Sequence, residues 1–203
     1  MIEVDKVDFS KGLIPAIVQD NATLQVLMLG YMNQEALSQT LSSGKVTFYS
    51  RSKQRLWVKG ETSQNFLLLV DIYLDCDQDS LLIMATPCGP TCHSGTTTCF
   101  ATQKMPALSH IGWMDNIIQQ RIAKPHPGSY TNSLMERGLN KIAQKVGEEA
   151  VEVVIAALAE TSAEYLGEMT DLLYHSLVLM HAQGLNLTDI AEVIKQRQTN
   201  LNP

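Results

Sequence analysis

The helical half of the fold is set by residues 134–160, LMERGLNKIAQKVGEEAVEVVIAALAE. Apolar or small residues recur in this stretch every three or four positions, at Met135, Leu139, Ile142, Val146, Ala150, Val153 and Ala157. This spacing places them on one side of an α-helix, so the sequence predicts one long helix with a buried stripe. Ser133 followed by Glu136 has the pattern of a capping box and predicts where that helix starts.

The residues around this stretch are also helical in character. Thr161-Ser-Ala-Glu164 is a second capping box, and it predicts a helix that ends near Gly184. Shorter helices are predicted over 112–122 and 188–198. Helices joined by such short connections indicate an all-α helical-bundle domain over 109–203.

The residues before this domain have a different texture. Short runs rich in Val, Ile, Leu, Phe and Tyr predict strands at 13–19, 25–30, 46–50, 56–59, 66–74 and 81–85. One helix is predicted over 33–41, with Asn33 as its N-cap and Gly44 just past its end. The N-terminal domain, residues 1–108, is therefore predicted to be α+β with a mainly antiparallel sheet.

Composition and charge exclude several classes of function. The 203 residues are 45% hydrophobic with a formal net charge of −6, and no stripe of Lys and Arg is present to bind a nucleic acid backbone. No run approaches the roughly 20 apolar residues of a membrane helix. The N-terminus lacks the basic flank and apolar core of a signal peptide. We therefore expect a cytoplasmic protein with no nucleic acid or membrane partner.

Carboxylates are paired on the two long predicted helices. The pairs are Glu149 with Glu152, Glu148 with Glu152, and Glu168 with Asp171. Spacings of three and four residues place side chains side by side, and antiparallel helices would bring the pairs opposite each other. Crowded carboxylates repel one another, and Mg²⁺ bound by their oxygens would offset the repulsion. The alternative is a solvated acidic helix face.

A second group of metal-type ligands precedes residue 100. The four cysteines lie within 24 residues, at Cys76, Cys88, Cys92 and Cys99. In a chain without a secretion signal, such a cluster favours metal binding or catalysis over disulfides. Three thiolates would form a catalytic zinc site and four a closed structural one, and the spacing alone leaves both open. Asp75, Asp77 and Asp79 alternate as in loops that wrap a hard cation, or form a polar turn.

Two independent sets of motifs resemble known enzymes. The stretches GYMNQEAL (30–37), FYSRS (48–52), LWVKGETS (56–63), DCDQD (75–79) and GPTCHSGTTTCF (89–100) closely resemble phosphoribosyl-AMP cyclohydrolase. The stretches SYT (129–131), KIAQKVGEE (141–149) and EMTDLLYH (168–175) resemble phosphoribosyl-ATP pyrophosphatase. The order of the two halves is similar to that of the bifunctional enzyme family of histidine biosynthesis, and the resemblance covers nearly the whole chain.

The resemblance implies two metals and an intertwined homodimer whose zinc site draws ligands from both chains. The implied zinc ligands are Cys76, Cys92 and Cys99, and Cys88 matches no ligand position. The implied Mg²⁺ ligands are Asp75, Asp77 and Asp79 in the first domain and Glu148, Glu149, Glu152, Glu168 and Asp171 in the second. One residue departs from the family pattern, because Gln64 stands where glycine is usual. A left-handed backbone there would strain Gln64 by roughly 1 kcal/mol or more.

The resemblance also implies the chemistry. The helical domain would hydrolyse phosphoribosyl-ATP to phosphoribosyl-AMP and pyrophosphate, with Glu149 or Glu152 as general base. The first domain would then open the adenine ring of phosphoribosyl-AMP with zinc-activated water and His93 as base. Substrate contacts are expected from Arg51, Trp57, Lys59, Gly60, Glu61, Thr62 and Ser63 in the first domain and from Tyr130, Lys141 and Lys145 in the second.

Two other functions fit parts of the pattern. One is a house-cleaning nucleotide pyrophosphatase with a structural zinc domain, which would require Cys88 in a closed four-thiolate site. The other is a zinc-stabilised adaptor with no activity, which would leave the paired carboxylates unexplained.

Overall fold

The computed structural model describes residues 2–100 and 104–201, with side chains up to residue 198. The chain divides into two compact units, Met1–Gly112 and Trp113–Pro203. Among the described residues, the first unit contains a 3₁₀ turn, six strands and one complete helix, and the regular elements of the second unit are all helices. The predicted order of an α+β domain followed by an all-α domain is confirmed. None of the described helices is long and apolar enough to span a membrane.

The first unit is built on a four-stranded sheet with the order β2-β1-β6-β5. Its strands are β1 (Ile14–Asp20), β2 (Val26–Met32), β5 (Leu67–Leu74) and β6 (Leu81–Pro87). β1–β2 and β5–β6 are antiparallel, whereas β1 and β6 are parallel. A separate antiparallel hairpin joins β3 (Thr47–Ser50) to β4 (Arg55–Val58). The sheet is thus mainly antiparallel, as predicted, with one parallel pair in its centre.

The core of the first unit follows from the alternation of residues along these strands. Ile14, Ala16 and Val18 of β1 point to one face and are buried, while Ile17 points to the other and is exposed. Helix α1 (Gln34–Ser43) packs near that core, with Ala36 and Leu37 buried. As predicted, Asn33 caps α1 by accepting the amide hydrogen of Ala36, and Gly44 ends it in the left-handed conformation.

The helical unit departs from the predicted pattern at one point. Its helices are α2 (Ser109–Ala123), α3 (Tyr130–Arg137), α4 (Leu139–Ala159), α5 (Ser162–Ala182) and α6 (Leu187–Leu201), with α2 starting in the residues that precede the unit. The prediction of one helix over 134–160 is wrong, because Gly138 interrupts it with φ of 81°. The capping box at Ser133 and Glu136 is also wrong: α3 begins earlier, and Ser129 is its cap.

The position of α4 against α5 brings the acidic residues together. The predicted capping box is present: the Thr161 hydroxyl accepts from the Glu164 amide, and the Glu164 carboxylate accepts from the Thr161 amide. The turn between the two helices has only two residues. The two helices therefore run antiparallel and pack against each other along their length. Leu134, Ile142, Leu177 and Val178 are among the residues of the apolar core that α3, α4 and α5 share.

Candidate active sites

A cavity of about 590 Å³ lies in the first unit, between the turn after β4 and the loop after β6. Most of the predicted residues of this domain line it: Trp57, Lys59, Gly60, Glu61, Thr62, Ser63, Cys92, His93 and Cys99. Of the predicted substrate contacts in this domain, Arg51 does not line the cavity, because it lies in the β3–β4 turn with its guanidinium 4.1 Å from the centre of the Tyr31 ring. Arg55, which the sequence did not indicate, instead supports the cavity wall by an ion pair to Glu61 at 2.7 Å.

Two of the implied zinc ligands meet in this cavity with different acidities. The hydroxyl of Ser94 donates to Cys92 Sγ at 3.1 Å. This hydrogen bond, together with the Ser94 backbone amide and the Thr96 and Cys99 side chains, lowers the pKa of Cys92 to about 6. Burial raises the pKa of Cys99, and the neighbouring Cys92 thiolate raises it further. His93 is exposed, with Nδ1 3.7 Å from Cys92 Sγ. The pair therefore offers one thiol that ionises more readily than an ordinary cysteine and one that ionises less readily.

Lys59 is a buried cation beside these thiols. Its ammonium group donates to the carbonyl of Asn65 at 3.3 Å, and the residue is 8% exposed. Burial lowers the pKa of Lys59, and the negative charges of Cys99 and Cys92 partly oppose that effect. The ammonium is therefore held between the thiol pair and the turn that forms the opposite wall.

That turn is tight and conformationally strained. Gly60 has φ of 96°, and a Cβ at this position would come within 2.6 Å of the Asn65 backbone, so only glycine fits. Gln64 has φ of 61°, the left-handed conformation that the usual glycine would adopt without cost. The departure noted in the sequence therefore places strain in the wall of the cavity.

The hairpin turn between β5 and β6 carries a group of three carboxylates. One oxygen from each of Asp75, Asp77 and Asp79 lies within 4.8 Å of the others. Hydrogen bonds from Ser80 and Asp79 hold the pKa of Asp75 below its usual value, although desolvation opposes them. Three hard carboxylate oxygens at this spacing fit Mg²⁺.

Cys76 lies in the same turn and is exposed, at the opposite end of β6 from Cys92. The strand has seven residues, and at 3.3 Å per residue its ends are about 20 Å apart. Among the described residues, no group of three metal-type ligand atoms within 4.8 Å contains a cysteine. One chain therefore brings together two of the three implied zinc ligands. Cys88 is exposed just beyond β6.

The helical unit forms a second acidic group across α4 and α5. One oxygen from each of Glu149, Glu152 and Glu168 lies within 4.8 Å of the others. Asp171 and Glu148 fall outside this group. Glu148 is held by Lys145 at 3.1 Å and by Lys141 at 3.8 Å.

The charges in this group are unequal. Burial opposes ionisation of Glu149, but the hydrogen bond and charge of Lys145, 2.7 Å away, hold its pKa below the usual value. The pKa of Glu152 is raised, first by its hydrogen bond with Glu149 and then by burial and by the charges of Glu149 and Glu168. Glu149 and Glu148 raise the pKa of Lys145. Three carboxylates that share a single neighbouring ammonium group provide hard oxygens that fit Mg²⁺.

Beside Glu149 lies His175, a residue whose role the sequence did not indicate. His175 is buried, and its Nδ1 lies 2.9 Å from the Asp171 carbonyl oxygen and 3.5 Å from Glu149 Oε1. Its Nε2 lies 3.0 Å from the Tyr130 hydroxyl. The Tyr174 hydroxyl meets Thr131 Oγ1 at 2.7 Å. The position of His175 four residues after Asp171, on the same helix face, was a signal for this contact.

Oxygen ligands beside lysines in one unit, and a thiol pair in a cavity in the other, are typical of metal-dependent hydrolases that act on phosphorylated compounds. Comparison with known proteins agrees that the chain is a hydrolase of phosphorylated nucleotides. The family model for phosphoribosyl-AMP cyclohydrolase matches residues 28–101, and that for phosphoribosyl-ATP pyrophosphohydrolase matches residues 113–198.

Full-length relatives have the same organisation. Proteins named histidine biosynthesis bifunctional protein HisIE are 51% identical in Photobacterium profundum, 49% in Bacteroides thetaiotaomicron and 52% in Xanthomonas campestris. The matches cover 97%, 96% and 96% of this chain and 96%, 97% and 94% of those proteins. The chain belongs to this family of histidine biosynthesis bifunctional proteins. The prediction of two hydrolase activities is confirmed, and the house-cleaning pyrophosphatase is not supported.

Proposed function

We propose that the two units catalyse consecutive hydrolyses, with the C-terminal unit acting first. The helical unit releases pyrophosphate from phosphoribosyl-ATP, and the sheet unit opens the adenine ring of the resulting phosphoribosyl-AMP. The observation that supports this assignment is the separation of two chemically different ligand sets. Carboxylates and lysines occupy α4 and α5, whereas the thiol pair lies in the cavity after β6.

In the helical unit, Glu149, Glu152 and Glu168 would hold Mg²⁺, with Glu148 and Asp171 completing the set as it binds. Mg²⁺ supplies neutralisation of phosphate charge and a fixed position for the reacting phosphoryl group. Lys145 and Lys141 add positive charge on the same helix and orient the phosphate groups of the substrate. Glu149 or Glu152 removes a proton from the attacking water.

In the sheet unit, Cys92 and Cys99 would hold zinc at one end of the cavity. Zinc supplies a water of lowered pKa and polarises the atom under attack. His93 stands beside Cys92 and accepts a proton from the attacking water. Trp57 and the turn over residues 60–63 form the wall against which the nucleotide is oriented, and the Lys59 ammonium binds negative charge. Asp75, Asp77 and Asp79 would hold Mg²⁺ at the phosphate or ribose.

The third thiolate is proposed to come from a second copy of the chain. The length of β6 keeps Cys76 far from Cys92 within one copy, so a homodimer is needed to complete the site. The sheet face opposite the core supports this, because it is apolar and exposed at Ile17, Leu29, Leu68, Val70 and Tyr73. A folded, active monomer in sedimentation at working concentration would overturn the dimer. The cytoplasmic location and the absence of a nucleic acid partner stay predictions.

The test uses variants that remove one ligand set at a time. Glu149→Gln with Asp171→Asn should abolish pyrophosphate release from phosphoribosyl-ATP and leave ring opening of supplied phosphoribosyl-AMP intact. Cys92→Ser should do the opposite and should accumulate phosphoribosyl-AMP with stoichiometric pyrophosphate. Ring opening is followed by the ultraviolet chromophore and zinc by metal analysis.

Cys88→Ala is the matched control for the thiols, and it should retain both zinc and ring opening. Loss of zinc from this variant would instead indicate a closed four-thiolate site. Loss of ring opening in a folded, zinc-loaded carboxylate variant would contradict the assignment of two independent sites.

A further inference from the structure

We infer that His175 is a positioning residue of the pyrophosphohydrolase site, which holds the Glu149 carboxylate and the Tyr130 phenol in one arrangement. This inference rests on the proposed function of the helical unit. His175 belongs to α5, Glu149 to α4 and Tyr130 to the first turn of α3, so one imidazole contacts two neighbouring helices.

The hydrogen bonds of His175 define its tautomer. Nδ1 faces the Asp171 carbonyl oxygen at 2.9 Å, and because a carbonyl only accepts, Nδ1 carries the hydrogen. In the neutral ring Nε2 is then an acceptor, so the Tyr130 hydroxyl, 3.0 Å away, donates to it. A ring fixed at both nitrogens and 4% exposed has no freedom to rotate.

The Nδ1 atom of His175 also lies close to the Glu149 carboxylate. The distance from Nδ1 to Glu149 Oε1 is 3.5 Å, which is an electrostatic contact rather than a full hydrogen bond. The same oxygen accepts from Lys145 at 2.7 Å. The Oε1 oxygen of Glu149 is therefore in contact with both an ammonium group and a fixed imidazole. These two contacts restrain the carboxylate whose oxygens group with those of Glu152 and Glu168.

At its Nε2 end, the imidazole contacts the aromatic side chain of Tyr130. The Tyr130 ring meets the His175 ring edge-on at 5.8 Å and stacks on Tyr174 at 6.1 Å. Tyr130 also lines a cavity of about 570 Å³ formed by the loop before α3 and the start of that helix. His175 thus links the acidic group, where the phosphates are proposed to bind, to a half-exposed aromatic ring at a neighbouring cavity.

The helix that carries His175 supplies a matched control. His181 lies six residues further along α5, is similarly buried, and contacts Asp115 Oδ1 at 2.6 Å through its Nε2. It contacts none of the proposed ligands. If His175 had only a structural role, replacing either histidine would have the same kind of effect.

The experiment compares His175→Leu, His175→Asn, Tyr130→Phe and His181→Asn in the full chain. Binding of Mn²⁺ is titrated by electron paramagnetic resonance. The Mn²⁺ sites that disappear in the Glu149→Gln, Asp171→Asn variant are assigned to the helical unit. His175→Leu should weaken binding at these sites about 10- to 100-fold, the usual effect of removing the residue that orients a metal ligand. His175→Asn retains a donor near Nδ1 and should recover part of the affinity.

Steady-state kinetics distinguish the contact of His175 with Tyr130 from its contact with Glu149. Tyr130→Phe should raise KM for phosphoribosyl-ATP while Mn²⁺ affinity stays within about twofold of the wild type. His181→Asn should lower the unfolding temperature but leave Mn²⁺ affinity, KM and kcat for pyrophosphate release unchanged. Unchanged Mn²⁺ affinity in folded His175→Leu would overturn the inference. An equal loss of Mn²⁺ affinity in His175→Asn and His181→Asn would also overturn it. If the wild-type chain released no pyrophosphate, the proposed function would fail while the Mn²⁺ arm still tested His175.

Discussion

Replacing Gln64 by glycine should make the sheet unit more stable. With φ of 61°, Gln64 adopts the left-handed conformation, which costs an L-residue roughly 1–2 kcal/mol. Its side chain is exposed, so little packing is lost. Glycine gives back about 0.4–1 kcal/mol, because it is more flexible in the unfolded chain. The net gain should lie between about 0 and 1.6 kcal/mol, and its midpoint of about 0.8 kcal/mol is equivalent to about 3–6 °C for a domain of this size.

The assay is thermal unfolding followed by the fluorescence of Trp57. The chain contains two tryptophans, so the comparison is made in a Trp113→Phe background that silences the helical unit. Gln54→Gly is the control, since Gln54 also has a positive φ of 50°. Its side chain donates to the Arg51 carbonyl at 2.7 Å and accepts from the Tyr49 hydroxyl at 3.2 Å, so glycine there should give little or no gain. A lower unfolding temperature for Gln64→Gly than for the parent would refute the reasoning.

Three further predictions concern other parts of the chain. Gly30→Ala should destabilise the sheet unit by about 1–3 kcal/mol in urea unfolding, because the new Cβ would overlap the buried Phe48 ring. Thr161→Ala should cost the helical unit about 0.5–2 kcal/mol, measured in the same way, through loss of its helix cap. In metal-free protein, the rate of Cys92 alkylation should rise with pH and be half-maximal near pH 6, because the thiol is ionised above its lowered pKa. Ser94→Ala should move this midpoint to higher pH, because it removes the hydroxyl that stabilises the thiolate.

The elements were predictable where the signal was local. Short runs rich in Val, Ile, Leu, Phe and Tyr located each strand to within a few residues, and Asn33 and Thr161 marked two helix starts correctly. The interruption at Gly138 was missed because apolar residues keep a helical spacing on both sides of it. The parallel pairing of β1 with β6 was also missed, since it joins segments about 60 residues apart and no local pattern records it.

The sites were predictable by residue type and less so by geometry. Spacing along one helix was enough to pair Glu149 with Glu152, and the turn after β5 was enough to group three aspartates. Some of the side chains that position these predicted site residues come from elsewhere in the fold. His175 reaches Glu149 from another helix, and Arg55 reaches Glu61 across a turn, so their roles depend on packing that one sequence does not encode in any local pattern.

The length of β6 has a consequence for mixtures of inactive chains. If each ring-opening site takes Cys92 and Cys99 from one copy and Cys76 from the other, a Cys76→Ser chain and a Cys92→Ser chain are each inactive alone. In a mixed dimer the two lesions fall on the same site, and the other site contains only intact ligands. Random reassociation of equal amounts should therefore restore about a quarter of wild-type ring opening, as expected for a two-fold symmetric pair. Two defective alleles expressed together would then complement each other.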